Sequence, residues 1–128
     1  MFLDTSIIIE IFRSGENTKS FQDIFELIKD KPLFISIVQI VEISDWCLKN
    51  DIDPEERILE LKRILNIIPL SEKICLECSK ITYDFCREGI SHFSLIDGFI
   101  LASARSINQK LLTKDTDFRK VNDAIVLD

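Results

Sequence analysis

The chain alternates very short apolar runs with segments of helical periodicity, and this alternation limits the folds open to it more than any other feature. The runs are Phe2-Leu3, Leu33-Phe34-Ile35, Ile67-Ile68, Leu111-Leu112 and Ala124 to Leu127. Successive side chains of a strand point to opposite faces, so a run that is apolar at consecutive positions is buried on both. Strands of that kind, separated by helices, form a parallel sheet with helices packed on each side. The expected architecture is therefore a single α/β domain over residues 1–128, with about four to five short strands in a mostly parallel central sheet. A length of 128 residues fits one domain, and no linker or internal repeat divides it.

The helical segments carry their own start signals. Thr5 is placed to cap a helix carrying Ile7, Ile8 and Ile11, and Gly15-Glu16-Asn17 makes the turn before a helix with Phe21, Ile24, Phe25 and Ile28. Ser36 and Gln39 form an S-x-x-Q capping box for a helix to about Leu48, and Pro54 follows Asp53 at a further helix start. Ser71 opens a longer helix that Gly89 stops. Ser94 and Asp97 form an S-x-x-D box for a helix to about Ile107.

The longest stretch without a charged residue is ten residues, Pro32 to Val41. A membrane-spanning helix needs roughly 20, so a soluble protein is expected. No basic leader precedes the strand at Phe2, which points to the cytoplasm and to thiols at Cys47, Cys75, Cys78 and Cys86. Cysteines in a reducing compartment pack as small hydrophobes unless they bind zinc, and here core packing is the expected role.

Net charge is −6, a poor start for gripping nucleic acid by electrostatics alone. The charge is uneven, however. Arg105 to Lys120 holds five basic and two acidic residues, a local +3 against −9 for the remainder.

In parallel sheets, ligands gather at the carboxyl ends of the strands. Asp4 ends the first strand, Asp97 starts a helix, and Thr113 and Asp115 follow a late strand. Taken singly, Asp4 and Asp97 read as helix caps and Asp115 with Asp117 as a polar turn. Glu42 stands apart. It sits among Ile37, Val38, Ile40, Val41, Ile43 and Trp46, where a carboxylate needs a partner unless it lies on a narrow polar stripe with Gln39, Asp45 and Lys49. Carboxylates that converge repel one another, and a hard divalent cation such as Mg2+ or Mn2+ relieves this. An acidic cluster of that kind suits phosphodiester hydrolysis by an activated water.

Four stretches resemble the PIN domain, the family that includes VapC-type toxins. They are FLDTS at Phe2 to Ser6, ISIVQIVE at Ile35 to Glu42, SLIDGFILASA at Ser94 to Ala104, and LLTKDTDF at Leu111 to Phe118. They occur in the family's order and span the chain. The resemblance implies a Mg2+- or Mn2+-dependent endoribonuclease with Asp4, Glu42, Asp97 and Asp115 as catalytic carboxylates and metal ligands. Asp117 would be a fifth ligand, held directly or through water. Thr5 or Ser6 would orient the first carboxylate, and Thr113 would bond a ligand or the attacking water. In-line attack on phosphorus would leave 5′-phosphate and 3′-hydroxyl ends, with one or two ions and no histidine base; His92 is the only histidine. Arg13, Lys114 and Arg119 are candidate RNA phosphate contacts, the alternative for each being a plain solvated side chain. The resemblance also implies a single-stranded RNA substrate, a homodimer, and a small antitoxin whose tail fills the acidic pocket.

Other phosphate-handling domains fit less well. Haloacid-type phosphatases want Asp-x-Asp after the first strand, where this chain has Asp4-Thr5-Ser6. Receiver domains want an acidic pair that is missing, and neither GxxxxGK[ST] nor GxGxxG occurs. The competing reading from another class is a catalytically quiet PIN-like binding module in RNA processing or quality control.

Overall fold

The alternating apolar strands meet two separate cores. In the computed structural model, which describes all 128 residues, five strands form one sheet: β1 Phe2–Leu3, β2 Phe34–Ser36, β3 Asn66–Ile68, β4 Leu111–Thr113 and β5 Ala124–Val126. Their order is β3-β2-β1-β4-β5, and every pairing is parallel. Phe2 and Leu111 enter one core, Leu3 and Leu112 the other, as the pleat requires. The Leu3 side is covered by α1 (Thr5–Arg13), α2 (Lys19–Ile28), α3 (Gln39–Lys49) and α4 (Pro54–Lys62). The Phe2 side is covered by α5 (Glu72–Arg87) and α6 (Leu95–Ser106). No helix is long and apolar enough to cross a membrane.

The helix starts follow the expected chemistry at several points. The side chains of Asp53, Ser71 and Ser94 accept backbone N–H bonds at the starts of α4, α5 and α6, and Ser94 with Asp97 closes a full capping box. Two starts differ. Asp4, not Thr5, occupies the cap position of α1; Thr5 lies within the first turn and its hydroxyl is used elsewhere. Ser36 belongs to β2 and does not cap α3: its hydroxyl accepts from Val38 N–H, while Gln39 Oε1 accepts from Ser36 N–H at 2.7 Å. The box is half formed because Gln39 is pulled toward the strand ends.

The cysteines divide between the two sides. Cys47 and Cys78 are buried in opposite cores, whereas Cys75 and Cys86 are exposed, so core packing accounts for only two of the four. The sheet separates Cys47 from Cys78, and the four cannot share one zinc ion. Cys78 does more than fill space. Its thiol donates to Leu95 C=O at 3.1 Å, tying α5 to the first turn of α6. Gly98 permits this closeness: a Cβ there would stand 2.3 Å from Thr82 Oγ1 and 3.0 Å from Cys78 O and Sγ.

Candidate active site

The chain runs from β1 outward through β2 to β3, then returns to lay β4 and β5 on the other side of β1. A crevice opens at such a reversal, outside the carboxyl ends of the strands. Here it lies between β1 and β4. Asp4 follows β1 directly and its N–H donates to Leu112 C=O at 2.9 Å, which fixes the backbone at the crevice. Thr113 ends β4, and Asp115 caps the short 3-10 turn Thr116–Phe118. The first turns of α3 and α6 bring Glu42 and Asp97 to the same edge.

Asp4 is the hub. It is buried, and its Oδ2 accepts hydroxyl bonds from Ser6 at 2.6 Å and Thr113 at 2.7 Å. Thr113 Oγ1 also accepts from Asp115 N–H at 2.9 Å, and Ser6 Oγ accepts from Lys114 N–H at 3.0 Å. Ser6 and Thr113 thus orient Asp4 and hold the loop after β4. Thr5 serves a different carboxylate: it donates to Glu42 Oε1 at 2.6 Å.

Burial raises the pKa of Asp4, partly offset by its two hydroxyl donors, and the charge of Asp115 adds to the rise. Burial likewise raises Glu42, with Asp4 and Asp97 as charged neighbours, and raises Asp97, with Asp4 and Asp115 as neighbours. Each of these three therefore feels the negative charge of others in the group. No lysine or arginine forms an ion pair with any of Asp4, Glu42, Asp97 or Asp115. Asp97 spends Oδ2 on the capping box, accepting from Ser94 N–H and Oγ, and Asp115 spends Oδ1 on Asp117 N–H. Asp117 is tied to the group by its backbone N–H alone.

The donor set is hard oxygen throughout, negative and without a counter-cation, which is the chemistry a divalent ion takes. The carboxylates are not drawn into a closed cage, because no trio of His, Cys, Asp or Glu is close enough to hold an ion by itself. An ion of the Mg2+ kind needs no such cage; it keeps several waters and takes one or two carboxylates.

The candidate RNA contacts are all engaged in ion pairs. Arg13 bonds Glu10 at 2.6 Å, Lys114 lies 3.5 Å from the same carboxylate, and Arg119 bonds Asp128 at 2.7 Å. His92 is exposed in the turn before α6. Two buried polar residues serve the site in ways the sequence does not suggest, and the first, Gln39, is no part of a solvated polar stripe. Gln39 has no exposed surface; its Nε2 donates to Leu3 C=O at 2.8 Å and to Thr5 Oγ1 at 3.3 Å. Glu10 is the other, a carboxylate set in the apolar run Ile7 to Phe12. The reasoning that singles out Glu42 applies to it equally.

The family model of the PIN domain matches residues 1–124. No curated protein matches the chain in sequence. Among solved structures, a toxin-antitoxin complex from Klebsiella pneumoniae contains a chain with TM-score 0.76 and 21% identity, covering 98% of this chain and 95% of that one. VapBC2 from Rickettsia felis, bound to a DNA fragment from its promoter, gives 0.74 and 19%, with coverage of 98% and 96%. VapBC-1 from nontypeable Haemophilus influenzae gives 0.69 and 24%, with 99% and 96%.

Proposed function

The chain belongs to the PIN-domain family, and on that premise we propose that it is a Mg2+- or Mn2+-dependent endoribonuclease acting as the toxin of a type II toxin-antitoxin pair in the cytoplasm. The observation that carries the reading is the meeting of Asp4, Glu42, Asp97 and Asp115 at the sheet's reversal point, mutually repelling and unpaired with any cation. The carboxylates that would hold the ion come from this group, with Asp117 as a further ligand directly or through water.

A divalent ion bound there supplies charge neutralisation for the phosphate and acidifies a water for attack on phosphorus. The protein's own part is orientation. Ser6 and Thr113 fix Asp4, Thr5 fixes Glu42, and the capping box fixes Asp97. Each anchored carboxylate keeps its direction toward the crevice without the help of a lysine or arginine, leaving its charge for the ion.

The proposed partners are single-stranded RNA, a second copy and a small antitoxin. An apolar groove of about 370 Å³ between α1, α2 and α4, lined by Ile8, Ile11, Phe12, Phe21, Ile28 and Ile64 among others, suits an apolar antitoxin segment. Its wall α1 is capped by Asp4, so one helix borders both the groove and the acidic crevice. Exposed Val41 and Leu48 on α3, with Leu76 and Tyr83 on α5, offer surface for a second copy.

The test is cleavage of a labelled single-stranded RNA with Mg2+, Mn2+ or EDTA. We expect metal-dependent cutting that Asp97→Asn lowers by at least about 100-fold, since even outer-shell partners of a metal site are worth 10–100-fold. Stabilisation by Mn2+ without cutting would keep the metal site and reject RNA as substrate. Neither effect would favour a quiet binding module.

A further inference from the structure

Glu10 lies on α1, six residues beyond Asp4, and has no part in the chemistry above. Only 7% of it is exposed. Its Oε1 accepts from the hydroxyls of Ser14 and Ser20, both at 2.8 Å, which ties the end of α1 to the start of α2. Its Oε2 accepts from Arg13 Nη2 at 2.6 Å and lies 3.5 Å from Lys114 Nζ. This wealth of donors holds its carboxyl down at about 2.

Lys114 is held at both ends. Its backbone N–H bonds Ser6, the residue that orients Asp4, and its ammonium is drawn to Glu10. The Lys114 side chain is 28% exposed and that of Arg13 66%, so both keep surface open to solvent, Lys114 next to Asp115 of the acidic cluster. Two cations share one carboxylate, leaving a local positive charge beside a strongly acidic cluster.

We propose that Glu10 is a positioning residue for nucleic-acid binding: it fixes Lys114 and Arg13 as a rigid pair of phosphate donors beside the acidic crevice. This role rests on the ribonuclease reading. A flexible lysine pays entropy each time it meets a phosphate, and an anchored one has already lost that freedom. Glu10 itself touches no substrate. A carboxylate acting by charge alone would repel phosphate, and its removal would tighten binding; a positioning residue does the reverse.

The experiment measures kcat and KM for RNA with Mn2+. It also measures affinity for a phosphorothioate RNA that resists cutting, across a salt series. The variants are Lys114→Gln, Glu10→Gln, the two combined, and a Ser14→Ala/Ser20→Ala pair that alters no charge. Lys114→Gln is expected to weaken binding about tenfold and reduce the salt slope by about 1. Glu10→Gln should weaken binding about fivefold despite the loss of a negative charge, with KM raised and kcat within about twofold. Combined with Lys114→Gln its effect should shrink to the part that Arg13 contributes. The serine pair should weaken binding about twofold to threefold at constant net charge, and it carries the test if Glu10→Gln does not fold.

Binding by Glu10→Gln as tight as wild type or tighter overturns the proposal, as does full additivity with Lys114→Gln. A wild type that neither binds nor cuts RNA overturns the ribonuclease reading and this role with it.

Discussion

Gln39 makes every one of its hydrogen bonds inside the protein, and through them it governs the direction of a carboxylate it does not touch. It accepts from Ser36 N–H, donates to Leu3 C=O and donates to Thr5 Oγ1, which leaves the Thr5 proton free to go to Glu42. Gln39→Leu would strand the Ser36 N–H and the Leu3 carbonyl in a dry interior. Each such group costs about 1–3 kcal/mol. The expected loss is about 3 kcal/mol in urea unfolding, with a smaller response to divalent ions as Glu42 loses its orientation. Nothing in the sequence marks this role, because Gln39 reads locally as half of a capping box. Only the pairing of β1 with β2 shows that its amide has a strand end to bond. Glu42 and Glu10 are different: both are charges in apolar helical runs, a signal legible without any structure. Of Glu10's partners, Arg13 and Ser14 sit at helical spacing in the sequence, whereas Ser20 and Lys114 were not legible, since they come from a different helix and a distant loop.

At the scale of elements, the contact between α5 and α6 decides where Asp97 stands. Gly98 follows Asp97 and lies against Cys78 and Thr82 with no room for a methyl group. Gly98→Ala is expected to destabilise the fold by about 1–3 kcal/mol, the cost of overpacking, against about 1 kcal/mol regained in helix propensity. A thermal melt would give the net loss, and metal-dependent cleavage should fall more than stability does, because α6 moves with its carboxylate. Strands and helices were legible from alternation and capping signals, and the Ser94–Asp97 box forms as its residues suggest. The start of α1 was not. Asp4 takes the cap position without capping, because Ser6 and Thr113 compete for its carboxylate, and Thr113 is on another strand. A cap is a local property, and at this site long-range bonds win.

At the scale of the whole molecule, stability and the proposed metal binding share one set of charges. Asp4, Glu42 and Asp97 have folded pKa values above their ordinary 3.8, 4.5 and 3.8, so the folded state binds protons more readily than the unfolded one. Their contribution therefore falls as pH rises through the carboxylate range and is least favourable at neutrality. Glu10 has the opposite sign: its stabilisation is present above 4.5 and is lost as pH falls through about 2. The metal-free protein is thus expected to melt highest at mildly acidic pH. Mn2+ should raise the melting temperature at pH near 7.5, by an amount set by about 2.7 kcal/mol at 100 times its Kd, and the gain should shrink toward pH 5 as protons take its place. Asp4→Asn should abolish the gain; an equal gain in that variant would place the ion elsewhere. The strand order carries a consequence in time as well as in space. Asp4 and Thr113, joined by a hydrogen bond, are 109 positions apart, and synthesis delivers the first long before the second. A growing chain still attached to its ribosome has β1 but no β4 to set beside it. The crevice does not exist until nearly the whole domain has emerged, and any product broken off earlier lacks the completed acidic site.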